Sequence, residues 1–531
     1  MVWKREDEQG SESKKIMWEA VPWTRGLVLD IGCGPHKMWP HFIGVDNRKD
    51  TSLFNIAMDP DITVPDATKL PLFASAAYDS VVSSHLLEHL EDHKAALREW
   101  WRLVKPGGYL VLYLPHKSFY PNIGTDGANP DHKHDFLPSD IIEVMKSIGG
   151  WDLIENQERN EDNEYSFLQV YKKYADAKLH RFSHAEPKPD KTCCLVRFGA
   201  WGDVVQMSSV LPALKAEGYH ITLMTVPRAL EAIKHEPLID RFLVQDPDQV
   251  PNAWLGEYFK YWRKRFTKFV NLCESVEGSF LAMPERVEFG WSHAARHDYM
   301  NKNYTEFLHK IVDVPFTKPL MRFSPSQDEV LWANAEYKRL KAAPLIMWVL
   351  AGSSLHKIWA GGVDADKLTG FDKIIAAILH EMPNAKVIFC GGEKEKALEA
   401  PWRKQDRILC RSGVWTIRQT MAMAQKCDVV IGPETGVLSA VSMCDNAKIV
   451  FLSHSSVENL TRDWVNTYSL FSTKTPCYPC HKLVSQWEHC MKSDDPNQGV
   501  AHCQDSIPPE AVWHALQAAT KVEEQEEAAH G

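Results

Sequence analysis

Residues 27–46 read LVLDIGCGPHKMWPHFIGVD. Leu27 to Ile31 is a short apolar run of the kind that fills a buried strand, and it stops abruptly at Gly32-Cys33-Gly34-Pro35. Phe42 to Val45 is a second such run, closing on Asp46. Strand, glycine turn and a second strand ending in a carboxylate make the opening of a parallel sheet covered by helices. Gly32 and Gly34 would let a ligand approach the backbone where any Cβ would clash. A carboxylate at Asp46 can accept hydrogen bonds from both ribose hydroxyls of a nucleoside.

Outward from that stretch the alternation continues, with Ser80 to Ser83 and Tyr109 to Leu114 as strands and Glu91 to Val104 with helical apolar spacing. Asp66 sits in PDATKLPLF, Tyr78-Asp79-Ser80 enters a strand that leaves as SSHLLEHL, and Lys105-Pro106-Gly107-Gly108 precedes the next strand. In this order the motifs resemble the class I S-adenosylmethionine (SAM) dependent methyltransferases, particularly the small-molecule type 11 group, over roughly residues 15–170. The resemblance implies that Asp30, Gly32 and Gly34 line the methionine part of SAM, that Asp46 holds the ribose and that Asp66 faces the adenine amino group. The lesser alternative for Asp30 is that it caps its turn, and Asp79 reads as a strand-start residue. His85, Glu88 and His89 stand at the strand exit, either bordering the methyl donor or solvated at a helix start. The loop Asp131-His132-Lys133-His134-Asp135 offers His132 and His134 as a base for the methyl acceptor, against the alternative of a solvated charged loop. Its H-x-H spacing alone is a weak metal signal.

Past Tyr171 the sequence turns polar and Pro-containing, and residues 176–191 read as a linker. A second α/β region opens with Cys193 to Phe198 as a strand, followed by Val210 to Glu217 as a helix and Ile221 to Thr225 as a strand. A third follows the helical stretch Asp328 to Lys341, with strands at Leu345 to Leu350, Lys386 to Cys390, Asp428 to Ile431 and Lys448 to Leu452. The organisation expected is a methyltransferase domain over 1–175, the linker, an acceptor lobe over 192–325, a donor lobe over 326–521 and a frayed acidic tail over 522–531. Two α/β lobes facing each other leave a cleft at the carboxyl ends of their strands.

Four short motifs mark that cleft: Arg197-Phe-Gly-Ala-Trp-Gly202-Asp203-Val, Lys357-Ile-Trp359, Gly391-Gly392-Glu393 and Gly432-Pro-Glu434-Thr435-Gly436. A lysine and a glycine turn opposing phosphate charge, with an acid available to ribose or base, suit a nucleoside diphosphate. Jointly the motifs resemble the lipopolysaccharide heptosyltransferase family, of the ADP-heptose type, from about residue 191 to 519. The resemblance implies a GT-B fold of two Rossmann-like lobes, with Asp203 as general base on the acceptor hydroxyl and inversion at the sugar carbon. It gives Lys357 the role of stabilising the departing diphosphate, and Gly202, Glu393, Glu434, Thr435 and Gly436 that of binding an ADP-sugar donor. Where this chain has Glu434 the family usually has Asp, and where it has Ser439 the family usually has His.

At 531 residues, 44% hydrophobic and 24% charged, the chain can build several cores. Its formal charge of -10 disfavours, without excluding, a nucleic-acid partner. The charged N-terminus and short apolar runs lead to the expectation of a cytoplasmic protein with no transmembrane segment. The basic, aromatic stretch Tyr258 to Phe269 is either a surface helix or a transient contact with an anionic membrane face. Among twelve cysteines, Cys477, Cys480, Cys490 and Cys503 form a C-x-x-C knuckle and a wider pair, fitting either structural zinc or free and redox-labile thiols, with His481 as a spare ligand.

The leading expectation is a bifunctional enzyme joining O-methylation to glycosylation of a cell-surface glycan or its precursor. Two others stand beside it: hypermodification of nucleobases in DNA, and a methyltransferase whose second module has become an acceptor-binding lobe.

Overall fold

The computed structural model describes residues 12–47, 60–161, 164–174, 180–182, 189–317, 320–352, 357–362, 368–484, 487–493 and 499–530. The chain divides into two compact units, Met1–Asp190 with Val244–Arg265, and Lys191–Leu243 with Phe266–Gly531.

The first unit is built on eight strands: β1 (Val28–Ile31), β2 (Ile43–Asp46), β3 (Ile62–Thr63), β4 (Tyr78–Ser84), β5 (Val104–Pro115), β6 (Trp151–Arg159), β7 (Ser166–Lys173) and β8 (His180–Phe182). Their order across the sheet is β3-β2-β1-β4-β5-β7-β6-β8. β1 runs parallel to β2 and β4, whereas β7 runs antiparallel to both its neighbours, β5 and β6. Strand order therefore reverses between β1 and β4, and the crevice beyond their carboxyl ends is where such a sheet takes a ligand. Helix His93–Leu103 is capped by Asp92, whose side chain accepts the Ala95 N–H at 2.9 Å. Its buried face, Ala96, Leu97, Trp100, Trp101 and Leu103, has the 3.6-residue period that packs a helix against a sheet.

Three sequence expectations change here. Within the stretch read as a linker, His180–Phe182 instead adds β8 to the edge of β6, pairing Trp151 with His180, a backbone pairing that polar composition does not advertise. The acceptor lobe is not continuous, because Val244–Arg265 clusters with the first unit. Helix Leu255–Arg263 buries Tyr258, Tyr261 and Trp262, the Tyr258 ring lies 6.0 Å from that of Trp18, and the Tyr261 hydroxyl donates to Glu19 at 2.8 Å. The aromatic half of the stretch, read as either a surface helix or a membrane contact, thus packs within its own unit, with Lys260, Arg263 and Lys264 outward. Finally, helix Pro509–His530 runs through most of the tail expected to fray, where Lys, Glu, Gln and Ala are strong helix formers. No described helix is long and apolar enough to cross a membrane.

The second unit holds two sheets, parallel in every strand pairing described. One, ordered β11-β10-β9-β12, comprises β9 (Thr192–Val196), β10 (His220–Thr225), β11 (Arg241–Val244) and β12 (Lys268–Asn271). The other, ordered β15-β14-β13-β16-β17-β18, comprises β13 (Leu345–Val349), β14 (Lys386–Cys390), β15 (Ile408–Cys410), β16 (Val429–Pro433), β17 (Ala447–Phe451) and β18 (Thr467–Leu470). A single apolar cluster runs from Leu195 and Val205 under the first sheet to Met347 and Val437 under the second, so the two lobes share a core. Helices Trp201–Met207 and Gly436–Val441 meet across it. A Cβ on Gly436 would stand 2.8 Å from the Trp201 Cβ and 3.0 Å from the Gly202 nitrogen, too close for anything but glycine. Gly436→Ala is therefore expected to destabilise the second unit by about 1–3 kcal/mol, read as a lower denaturation midpoint in urea.

Candidate active sites

In the first unit, β1 ends at Gly32, whose φ of +76° is glycine territory and whose Cβ would meet Leu86 at 2.6 Å. Gly34, at φ +56°, donates its N–H to Asp46 Oδ2 at 3.0 Å, and the Asn47 N–H reaches Asp46 Oδ1 at 2.7 Å. Asp46 is thus locked across the glycine turn, and each oxygen keeps a further lone pair for a vicinal diol. Asp66 accepts both the backbone N–H (2.8 Å) and the hydroxyl (2.7 Å) of Thr68 on one oxygen, bonds that hold its carboxyl below the usual range and leave the other oxygen to a ligand. Asp30 is 1% exposed and accepts the Met38 N–H at 2.7 Å. Burial raises its carboxyl to about 6, and it braces the turn from behind. Glycine turn, locked diol acceptor and Asx turn at the switch point fit a nucleoside carried close to backbone, as SAM requires.

At the exit of β4, His85 is held at φ +51°, with Nε2 2.9 Å from the Ser166 hydroxyl and its ring 5.4 Å from that of Tyr113. Burial and then Lys15 push its pKa down to about 3, so it is a neutral imidazole. Glu88, in the turn Leu87–His89, is fully buried, and burial raises its carboxyl to about 8. The two loop histidines part company. His132 joins this group, its ring 4.7 Å from that of His89 and stacked 5.3 Å from Tyr120. His134 turns away, with Nε2 3.0 Å from the Leu90 carbonyl and its ring 4.4 Å from His93.

In the second unit a cavity of about 620 Å³ lies between the two sheets. Asp203, third residue of helix Trp201–Met207, reaches it with Oδ2 accepting the Ala200 N–H at 2.6 Å and Oδ1 3.3 Å from Arg197 Nη2. Arg197 is buried, bidentate to Glu277 at 3.2 and 2.9 Å, and donates to the Leu272 carbonyl at 2.7 Å. Burial raises the Asp203 carboxyl; Arg197 opposes this and Glu277 adds to it, leaving the group above its ordinary range.

Lys357 enters from the opposite lobe, Nζ donating to the Glu434 carbonyl at 3.2 Å and lying 3.6 Å from its Oε2. The Glu434 carboxylate itself is fully occupied. It accepts the Ser453 N–H and hydroxyl on one oxygen and the Ser455 hydroxyl on the other, with His454 Nε2 3.4 Å away. Burial raises this carboxyl, but His454, Lys357 and the two Ser453 bonds outweigh it and bring it down to about 2, so Glu434 is ionised. His454, lowered to about 4 by burial, is neutral beside it. Glu434 therefore fixes Lys357 and the loop 453–455, a role that the longer reach of Glu over Asp permits. Thr435 caps helix Gly436–Val441, and Gly202 and Gly436 form the interlobe contact at the cavity wall. Glu393 is exposed, paired with Lys396 at 2.6 Å and absent from the cavity wall; Glu395, two residues on, lines it instead and accepts the Gly392 N–H at 2.6 Å. The sequence held no signal for Glu395, or for Glu277 and the serines of the 453–455 loop.

Cys477, Cys480, Cys490 and Cys503 are all free thiols, and after burial the others of the group raise the pKa of Cys503. Among the described residues, however, no three of their sulfurs lie within 4.8 Å of one another, so the arrangement described does not close a tetrahedral thiolate site.

Residues 29–112 match the family model described as a methyltransferase domain. A curated relative, a probable S-adenosylmethionine-dependent methyltransferase of Mycolicibacterium smegmatis, is 29% identical over 132 residues, 23% of this chain. The chain spans about half (51%) of that relative's length. Two solved structures are similar to part of the chain: a family 9 glycosyl transferase from Veillonella parvula (14% identity, 64% of this chain and 99% of that one, TM-score 0.46) and the E. coli ADP-heptose lps heptosyltransferase II (13%, 62% and 99%, 0.43).

Proposed function

We propose that the chain couples two transferases, a SAM-dependent O-methyltransferase in the first unit and an inverting glycosyltransferase using a nucleoside diphosphate sugar, ADP-linked by preference, in the second. The acceptor is a cell-surface glycan or its precursor. The observation that carries the reading is the cavity in the second unit, where an acid from one lobe, Asp203, and a cation from the other, Lys357, face the same space. That spacing of opposite charges across a cleft is what transfer of a sugar from a diphosphate needs.

In that cleft Asp203 takes the proton of the acceptor hydroxyl as its oxygen attacks the anomeric carbon, and the bond to the diphosphate breaks with its electron pair leaving on phosphate oxygen. Lys357 neutralises the charge that develops there. Arg197 opposes the rise that burial and Glu277 impose on the Asp203 carboxyl, and Trp201 with Arg228 stacked 5.2 Å over its ring walls the cleft. In the first unit SAM supplies an electrophilic methyl group. Asp46 orients the donor through its ribose, and the glycine turn lets it lie against the backbone.

A thermal-shift panel of the full chain with S-adenosylhomocysteine, ADP, GDP, UDP and CMP tests both halves. Stabilisation by S-adenosylhomocysteine and by ADP is expected; by S-adenosylhomocysteine alone, the second unit would be an acceptor-binding lobe without donor chemistry. Asp46→Ala should abolish the S-adenosylhomocysteine shift and leave that of ADP.

A further inference from the structure

Glu88 is a costly side chain in the first unit. It is 0% exposed, and among the described residues neither carboxylate oxygen has a hydrogen-bond partner beyond its own backbone N–H, a condition that ordinarily costs several kcal/mol and marks a missing partner. Its surroundings supply three imidazoles, those of His85, His89 and His132, with His85 Nδ1 3.7 Å from Glu88 Oε1. His89 Nε2 lies 3.9 Å from Glu88 Oε1, and the loop carrying His132 is pinned over the turn by the Lys133 and His134 N–H groups, which donate to the Glu88 carbonyl at 2.7 and 3.2 Å. One ligand atom each from Glu88, His89 and His132 falls within 4.8 Å of the others, the single such group of three among the described residues.

We propose that Glu88, His89 and His132 bind a divalent transition-metal cation. Two imidazoles and one carboxylate suit zinc, manganese, iron(II), cobalt or nickel rather than calcium, which takes six to eight oxygens. Three protein ligands leave positions open. The site lies beside the glycine turn, since Leu86, two residues before Glu88, is the side chain that a Cβ on Gly32 would strike. If the first unit binds SAM as proposed above, the open positions take an oxygen of the methyl acceptor. Coordination lowers the pKa of that hydroxyl; its proton leaves to solvent, the oxygen bonds to the methyl carbon, and the carbon–sulfur pair stays on the donor sulfur.

The test titrates cobalt(II) alone into the chelator-stripped full chain and reads the visible spectrum, with metal content by mass spectrometry. One equivalent with ligand-field bands and no thiolate charge-transfer band is expected, which separates this site from the four cysteines. Glu88→Gln and His132→Ala should each weaken that binding by more than the roughly 10- to 100-fold typical of losing a supporting group, while His134→Ala leaves it unchanged. Identical cobalt spectra in all variants, or none with S-adenosylhomocysteine still bound, would overturn the proposal. Cobalt binding without S-adenosylhomocysteine binding would instead retain the cation site and refute the methyl-donor reading.

Discussion

Asp203→Asn is expected to lower glycosyl transfer by about 10²- to 10⁴-fold while the ADP thermal shift persists. Asparagine keeps the shape and can still accept the Ala200 N–H, so the helix start survives, but it cannot take a proton from the acceptor. The loss should fall on kcat rather than on donor binding, because Asp203 acts on the hydroxyl that reacts and Lys357 on the phosphate that leaves. Rates measured with a labelled ADP-sugar and a glycan acceptor check this, with S-adenosylhomocysteine binding as the internal control. Unaltered transfer in Asp203→Asn would remove this carboxylate from the mechanism.

The second large effect concerns Arg197. Its guanidinium is buried between Glu277 and Asp203 and tied to the Leu272 carbonyl. Arg197→Met leaves two carboxylates facing each other with no cation between them, and a broken buried ion pair of this kind costs about 3–5 kcal/mol. Denaturation in urea should show that loss, and Arg197→Met with Glu277→Leu should regain much of it, since the second change removes the stranded charge. A pH effect follows with a definite sign. Arg197 lowers the Asp203 carboxyl against burial and Glu277, so its removal raises that pKa further. The base is then lost to protonation earlier as pH falls, and the acid limb of the glycosyl-transfer profile moves to higher pH.

Much of the architecture was legible in sequence. Strands β1, β2, β4 and β5, and later β9, β10, β13, β14, β16 and β17, announce themselves because a strand buried on both faces reads as a continuous apolar run bounded by turn residues. β6 and β7 did not. Their faces carry Asp152, Glu155 and Gln169 among the apolar residues, and the buried Gln169 side chain is satisfied by Asn156, the Pro138 carbonyl and the Tyr171 hydroxyl. β8 and β18 are edge strands, defined by backbone pairing that side chains do not encode.

The same division runs through the sites. Local spacing determined by itself the glycine turn at Gly32 and Gly34, the carboxylate at Asp46, and Asp203 at the start of its helix, since each depends on a strand ending and a helix or turn beginning within a few residues. Only the tertiary structure decided which charges meet. His132 and His134 are two residues apart, yet one faces Glu88 and His89 and the other the Leu90 carbonyl. Lys357 and Glu434 are 77 positions apart and in contact, and Glu395 replaces Glu393 at the cavity wall. Periodicity tells whether a side chain points inward. What it finds there depends on the packing of distant elements, and with it the burial, the pairing and the pKa that turn a residue into a reagent.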